Sequence, residues 1–358
     1  MVERCSKAVR ISSAQSMSSG AAVTKPKASA ASASIGEVVL YNVLEGLTKI
    51  KENGEIEPLL ARSWVRSADG MVYAFDLHAG VAFHDGQPCD AAAVKLAFER
   101  AKSLGAANKL HATLFDNLVQ IEAPTPGRVV LHLAHPDSNL RFRLGDSPAV
   151  ITHPLQTSRQ ISLQPLGTGP FRLTRWVRGR GVELEKFEPY RRANQIALNR
   201  AEVRFYPDPA AQTQALLDGE ADILFNIGSQ HTTRFRLDPR FQVLTGMSSG
   251  KGLLAMNHRR RPLNDVRVRR AITHAIDRED FIDRVINGQG RAIGSHFAPT
   301  EPGYVHMANM YPYNPRRATA LLKEAGISTP LTLTLSLPPA PYALLGGPVL
   351  QEHLKQVG

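Results

Sequence analysis

The residues whose side chains could most evidently bind a charged partner lie in an arginine-rich segment, residues 257–280, which contains seven arginines. Clustered guanidinium groups attract phosphate, so nucleic-acid binding has to be considered. The second half of the segment has helical periodicity, however, and its apolar stripe leaves most basic side chains on another face. The stripe consists of Val268, Ala271, Ile272, Ala275 and Ile276. No aromatic residue interleaves with the arginines, and no second helix completes a helix-turn-helix motif. The segment therefore predicts a solvated helix face and a polar loop, with no nucleic-acid partner.

Residues that could catalyse a reaction or hold a metal form no recognisable constellation. The sequence contains no CxxC, HExxH, GxSxG or GxxxxGK motif. Its twelve histidines are scattered without the spacing of metal ligands. The two cysteines, Cys5 and Cys89, cannot build a disulfide framework. We therefore expect a protein that is not an enzyme and that has no catalytic residue, cofactor or metal ligand.

Length and composition indicate a globular protein of two or three domains. The 358 residues are 43% hydrophobic and 21% charged, and the net charge of +11 fits either acidic partners or a generally basic surface. No run of eighteen apolar residues predicts a membrane span. Residues 1–35 are basic and rich in Ser and Ala, which predicts a disordered tail. They lack the apolar core of a secretory signal peptide.

Helical and strand patterns alternate after this tail, which predicts an α/β fold. Helical spacing occurs over residues 39–47, 90–103, 263–277, 278–288, 314–327 and 348–358. Strand patterns occur over residues 71–86, 127–136, 171–190, 253–257 and 330–338, and residues 203–227 fit a βαβ unit. Asn53-Gly54 predicts a hairpin turn, and Asp90, Asp208 and Asp277 are predicted helix N-caps.

Five stretches carry motifs that occur in the same order in one known family. The first runs from Val39 to Arg100 and includes "VLYNVLEGLTKI" and "FHDGQPCDAAAVKLAFER". "PLGTGPFRL" has the family's Gly-Thr-Gly-Pro-aromatic turn, and "FEPYR" resembles its Asn-Pro-x-Tyr element, with Glu188 in place of Asn. "MNHRRRPLNDVRVRRAITHAIDRE" and "YNPRRATALLKEAG" resemble two of its helix starts. Together they make the chain resemble the family 5 extracellular solute-binding proteins, the receptors of peptide/nickel-type ABC transporters.

The resemblance implies a periplasmic-binding-protein type II fold, a two-lobed venus flytrap with an inserted extra domain. It implies that residues 36–48 and 165–257 form lobe I, 49–164 the inserted domain, and 258–358 an incomplete lobe II. Arg267 and Arg269 belong to the family's pattern for the start of a helix, and residues 259–261 are a local enrichment in arginine.

The function implied is capture of a peptide or related small solute, which the receptor encloses and hands to an ABC permease in the membrane. The resemblance also implies a periplasmic location and a monomer. Two alternatives stay open at this point, namely an inactive remnant of such a receptor and a receptor for nickel or a metal chelate.

Ligand-binding residues are expected where family motifs would reach the ligand. Tyr41 and Asn42 follow the first-lobe element that faces the ligand in the family, Gly169 and the neighbouring Gly167 belong to the glycine turn, and Asn257 ends a predicted strand. Each also has a purely structural interpretation, as a packed tyrosine, a tight turn or a strand end. Trp64 and Trp176 are predicted to be core aromatics.

The resemblance further predicts that the chain is truncated at both ends, without the family's first strand and without the completion of lobe II. On this basis the chain should fold poorly and bind nothing tightly. The stripe Ala318, Leu321, Leu322 and Ala325, and one side of the segment 331–337, are expected to stay partly exposed to water.

Replacing Arg259, Arg260 and Arg261 together with Ser should leave sequence-specific DNA binding absent and change only the surface charge. Weak binding of the original chain to DNA at low salt should disappear near physiological salt, because it rests on counterion release. A salt titration of binding to two unrelated duplexes measures both effects. Binding that survives physiological salt and prefers one duplex would contradict the prediction.

Overall fold

A computed structural model of the chain describes residues 8–14, 40–51, 53–103, 114–206, 208–225, 229–246, 250–299, 301, 303–338 and 340–358. The chain divides into two compact units, unit 1 up to Asn226 and unit 2 from Ile227 to Gly358. The predicted boundary between lobes I and II, at 257/258, therefore falls inside unit 2. Each unit is described by itself.

Unit 1 contains all the strands of the described chain. They are β1 (Ala8–Ala14), β2 (Thr48–Ile50), β3 (Ile56–Pro58), β4 (Ala61–Arg66), β5 (Val72–Leu77), β6 (Leu118–Thr125), β7 (Arg128–Leu133), β8 (Phe171–Val177), β9 (Gly181–Lys186), β10 (Arg200–Tyr206) and β11 (Ile223–Leu224). Its helices are α1 (Ala91–Ser103), α2 (Leu140–Arg143), α3 (Ser158–Leu163) and α4 (Pro209–Leu217), and residues 40–43 form a further helical turn.

A five-stranded sheet with the order β11-β1-β10-β9-β8 forms one layer of unit 1. β1 lies between β10 and β11 and is parallel to both, whereas β9 is antiparallel to its neighbours β8 and β10. The predicted disorder of residues 1–35 is therefore wrong for Ala8–Ala14, whereas the predicted truncation of the chain remains a prediction. This segment contains Ser12 and Ser13 and has weak strand patterning, so its conformation depends on hydrogen bonds from strands on both sides.

A second, antiparallel sheet of unit 1 has the order β4-β5-β7-β6 and packs against α1. The pattern of β5 alternates, with Tyr73, Phe75 and Leu77 buried, and α1 begins where Asp90 Oδ1 accepts the Ala93 N–H at 3.0 Å. Gly54, at φ 81°, makes the turn of the β2–β3 hairpin, which confirms the hairpin prediction. This sheet and α1 have a hydrophobic core separate from that of the five-stranded sheet. The lobe and insertion bounds remain predictions.

The two tryptophans occupy different environments. Trp64 is partly buried against the core of the four-stranded sheet, and the Arg141 guanidinium lies 5.6 Å from its ring centre. Trp176 is 46% exposed on β8, so its assignment to the core is wrong. Trp176 lies near the end of β8, whose buried positions, Phe171 and Leu173, are near its start.

Unit 2 is built from helices α5 (Ser229–Leu237), α6 (Val266–Ala275), α7 (Arg278–Ile286), α8 (Pro315–Glu324) and α9 (Pro341–Lys355). Asp265, Asp277 and Asn314 cap α6, α7 and α8 through side-chain oxygens. No strand occurs among the residues described in this unit. The predicted strands 253–257 and 330–338 are therefore wrong, since neither has a neighbouring strand to complete its backbone hydrogen bonds.

The helices of unit 2 nevertheless bury a core. Ala318, Leu321 and Leu322 are at most 5% exposed and pack with α6 residues such as Val268 and Ala271. The expectation that the apolar stripe of α8 is partly exposed to water is therefore wrong, because α6 covers this stripe. The expected exposure of the segment 331–337 is confirmed, since Leu333, Leu335 and Leu337 are each about two-fifths exposed. The exposed apolar surface of unit 2 thus lies in the extended segment and not on α8.

Shortening Leu322 to Ala should destabilise unit 2 by about 2–5 kcal/mol, because it removes a buried side chain and leaves a cavity. Leu333→Ala is the matched control, and we expect a much smaller effect since that side chain is already 41% exposed. Hydrogen exchange of peptides that cover α6 and α8 measures the loss of protection. Equal effects of the two substitutions would show that the α6–α8 core does not form.

Candidate functional site

Residues 40–47 carry two of the predicted ligand contacts on a segment that is otherwise firmly buried. The Leu44 N–H donates to the Leu40 carbonyl at 2.7 Å and closes one helical turn. Val43, Leu44 and Leu47 are at most 4% exposed, whereas the side chain of Tyr41 is 41% exposed. The spacing of the apolar residues thus turns Tyr41 towards solvent.

The glycine turn, Gly167-Thr168-Gly169, lies directly against this segment. The Gly169 N–H donates to the Val43 carbonyl at 3.0 Å. A Cβ on Gly167 would lie 1.9 Å from the Val43 carbonyl oxygen, and one on Gly169 would lie 2.6 Å from the Asn42 carbonyl oxygen. Only glycine permits this approach of the two backbones. The structure therefore brings Tyr41, Asn42 and Gly169 together, and it gives Gly167 and Gly169 a steric role.

The buried carboxylate of Glu45 ties the segment 40–47 to two other parts of unit 1. Glu45, which is 2% exposed, accepts two hydrogen bonds from the Arg191 guanidinium, at 2.7 and 2.8 Å. It also accepts from the Tyr190 hydroxyl at 3.1 Å and from the Thr168 hydroxyl at 3.0 Å. We call these four residues the Glu45 cluster. It joins the first family stretch, the glycine turn and the "FEPYR" element.

The pKa shifts in and beside the Glu45 cluster have two causes, namely burial and the ion pair between Glu45 and Arg191. Desolvation opposes the charge of Arg191, but the hydrogen bonds and charge of Glu45 outweigh it and raise the pKa of this guanidinium. Burial and the nearby carboxylate raise the pKa of the Tyr190 hydroxyl. Burial, aided by the charge of Glu45, raises the pKa of the Cys89 thiol to about 12. The cluster therefore holds one ion pair and neutral neighbours.

His84 binds both ends of the glycine turn. Its Nδ1 accepts the Gly167 N–H at 3.3 Å, so the ring proton belongs on Nε2, which donates to the Gly169 carbonyl at 3.0 Å. The ring is 8% exposed and packs edge-on against Phe187, with ring centres 4.9 Å apart. Burial lowers the pKa of His84, so the neutral imidazole is favoured.

Asn257, the fourth predicted contact, belongs to unit 2. Its side-chain oxygen accepts the Arg259 N–H at 3.0 Å, and its carbonyl accepts the Arg260 N–H at 3.1 Å. Asn257 is exposed and starts a turn instead of ending a strand. Its ligand contact remains a prediction, and the described contacts give it a structural role.

The arginine-rich segment has the solvated character that was predicted. Arg259, Arg260 and Arg261 are exposed. Arg267 pairs with Asp265 at 2.7 Å and also donates to the Glu324 carbonyl, and Arg269 donates to the Leu263 carbonyl at 2.9 Å. These two family-pattern arginines therefore hold the start of α6.

Other classes of site give no signal in the described part of the chain. Within it, no group of three or more His, Cys, Asp or Glu side chains comes together as metal ligands would. None of its helices combines the length and apolar character needed to cross a membrane.

Sequence reasoning did not identify Glu45, Thr168, Arg191 or His84 as parts of the site. A signal for Glu45 was present, since a carboxylate between the apolar residues Leu44 and Leu47 must have a partner when the segment is buried. The partner could not be located from sequence, because Arg191 lies far along the chain among many other arginines.

The sheets and helices described above have counterparts in solved structures. NikA from Brucella suis in complex with Fe(III)-EDTA matches with a TM-score of 0.79 and 25% identity, over 88% of this chain and 68% of that one. AgaA from A. tumefaciens R10 in complex with agropinic acid matches with a TM-score of 0.74 and 26% identity, over 90% and 66% of the two chains. The chain therefore has the α/β fold of the type II periplasmic binding proteins.

Sequence comparison identifies the family. A model of the bacterial extracellular solute-binding proteins, family 5 (middle region), matches residues 55–358, and the chain belongs to this family. The glutathione-binding protein GsiB of Pectobacterium atrosepticum is 29% identical over 305 residues, which cover 84% of this chain and 59% of GsiB. The chain thus spans less than two thirds of the length of this relative.

Replacing Glu45 with Gln should destabilise unit 1 by about 3–5 kcal/mol, because it leaves the Arg191 charge buried without its partner. Glu202→Gln is the matched control, since Glu202 pairs with Arg204 at 2.7 Å on the surface and should contribute at most about 1 kcal/mol. Urea unfolding followed by tryptophan fluorescence is specific for unit 1, which contains both tryptophans. A loss below 1 kcal/mol for Glu45→Gln would contradict the structural role of the pair.

Proposed function

We propose that the chain is the substrate-binding component of an ABC importer, which captures a small carboxylate-bearing solute of the peptide or amino-acid-conjugate type. The observation that carries the proposal is the placement of Tyr41 and Asn42 at the surface by three family motifs that converge on Glu45. A recognition segment held by buried hydrogen bonds is preorganised, and preorganisation favours affinity.

The ligands of similar proteins support the carboxylate class. GsiB binds glutathione, AgaA is in complex with agropinic acid, and NikA with Fe(III)-EDTA. These compounds differ in shape, but each carries carboxylate groups. The net charge of +11 adds a field that attracts anions. A metal, on this proposal, would be carried inside an organic chelate and not by a set of protein ligands.

The remaining parts of the proposal follow the family. The solute is passed to a membrane permease without covalent chemistry, in the periplasm. Ligand binding should stabilise the folded receptor by mass action, which makes the proposal measurable without knowledge of the permease.

Calorimetry of the 358-residue chain with glutathione, and with glutathione whose carboxylates are esterified, tests the substrate class. We expect glutathione to bind and the ester to bind at least roughly tenfold more weakly, because charge-assisted hydrogen bonds to the carboxylates are lost. Fe(III)-EDTA is the second probe. Equal binding of acid and ester would contradict the carboxylate class. A chain that binds neither probe would favour the inactive-remnant alternative.

Tyr41→Ala should weaken binding of the same probe by roughly fivefold or more, the loss of about 1 kcal/mol expected for an aromatic contact. Trp176→Ala is the matched control, because Trp176 is an aromatic residue of the same unit with similar exposure, 46% against 41%. Both variants should unfold at nearly the original urea concentration. A larger loss of affinity for Trp176→Ala would place the binding surface elsewhere on unit 1.

A further inference from the structure

His84 is a buried titratable group that the proposed function does not yet use. It comes from the loop after β5, in the part of unit 1 that carries the four-stranded sheet. Three hydrogen bonds join this residue to the glycine turn. Its ring accepts one from the Gly167 N–H and donates one to the Gly169 carbonyl, and its backbone N–H donates to the Gly167 carbonyl at 2.9 Å. The opposite side of that turn contacts the carbonyl groups of Asn42 and Val43.

We propose that His84 is a positioning residue for the ligand-binding surface at Tyr41 and Asn42, and that its neutral Nε2–H tautomer holds the glycine turn in the conformation that supports binding. This inference rests on the proposed function. His84 itself need not contact the solute, since it acts through Gly167 and Gly169.

We call the three hydrogen bonds between His84 and the glycine turn the His84 latch. Their pattern makes the latch sensitive to protonation of the imidazole. The Gly167 N–H needs an acceptor, and a protonated imidazole has none, because both of its nitrogens carry hydrogen. Two N–H groups would then face each other at the Nδ1 position, in a site where solvent cannot replace the lost bond. The bond to the Gly169 carbonyl and the bond from the His84 backbone N–H to the Gly167 carbonyl would remain, so protonation removes one of the three hydrogen bonds and loosens the Gly167 end of the turn.

The surroundings set the direction of the pH dependence. Burial is the main cause that lowers the pKa of His84, and Arg172 on β8 adds to it, whereas the Gly169 carbonyl and the adjacent Asp85 oppose it. Phe187 contributes an uncharged ring, and Glu45 behind Thr168 is paired with Arg191. A lowered pKa means that the folded chain takes up this proton less readily than the unfolded chain. The contribution of His84 to stability is therefore full above about pH 6.5 and is lost as the pH falls.

The first test needs no ligand. Hydrogen exchange at Gly167 and Gly169, corrected for the intrinsic effect of pH, should accelerate by about fivefold or more in His84→Leu, the effect of one or two lost hydrogen bonds. His132→Leu is the matched control, since His132 is a partly buried histidine of the same unit, on β7, and pairs with Glu122 at 3.3 Å instead. If the two variants exchange alike at the turn, the latch does not exist and the inference is overturned.

The second test separates positioning from general stability. Binding of glutathione should weaken between pH 7.5 and pH 5 in the original chain, over and above the change seen in His84→Gln. The glutamine amide does not titrate and can still donate a hydrogen bond to the Gly169 carbonyl. Because this bond is kept, we expect the dissociation constant for glutathione at pH 7.5 to stay within about threefold of that of the original chain. An identical pH profile for both chains would overturn the inference. If glutathione and Fe(III)-EDTA bind neither chain at any pH, the proposed function fails and takes the positioning role with it, while the exchange experiment still reports on the latch.

Discussion

The buried ion pair between Glu45 and Arg191 is the interaction on which the arrangement of unit 1 depends. An ionised carboxylate cannot be buried without partners, so its two oxygens determine which segments can approach it. Thr168 and Tyr190 complete the coordination and bring two further motifs to the same point. A set of apolar residues could fill this volume with comparable stability, but it would tolerate other registers. We therefore expect the pair to contribute specificity of assembly more than net free energy.

This dependence explains why motifs that are distant in sequence occur together. The glycines at 167 and 169 allow the turn to meet the backbone of residues 42 and 43, and the threonine between them donates to Glu45. Steric fit against residues 42 and 43, the hydrogen bond from Thr168 to Glu45 and the three hydrogen bonds with His84 together define the position of the turn.

Much of the fold could be predicted from the sequence, and the errors have identifiable causes. The hairpin at Gly54, the helix capped by Asp90 and the helices of unit 2 depend on local spacing and capping, which one segment contains by itself. Ala8–Ala14 was missed because its strand conformation depends on neighbours that lie far along the chain. The strand predictions at 253–257 and 330–338 failed for the complementary reason. Their patterns are suitable for strands, but no neighbouring strand occurs among the residues that the structure describes in unit 2.

The candidate site was predictable only in part, for the same physical reason. Tyr41, Asn42 and Gly169 belong to recognisable motifs, and the structure brings these three together. The residues that hold them have no local signature, since the partner of a buried carboxylate or imidazole is chosen by the fold. His84 shows the limit most clearly. Its sequence context does not reveal that both ring nitrogens are used by one turn, yet that double use ties the turn to a single protonation state. In this chain, the residues that support the candidate site are therefore more dependent on tertiary structure than the residues predicted to form it.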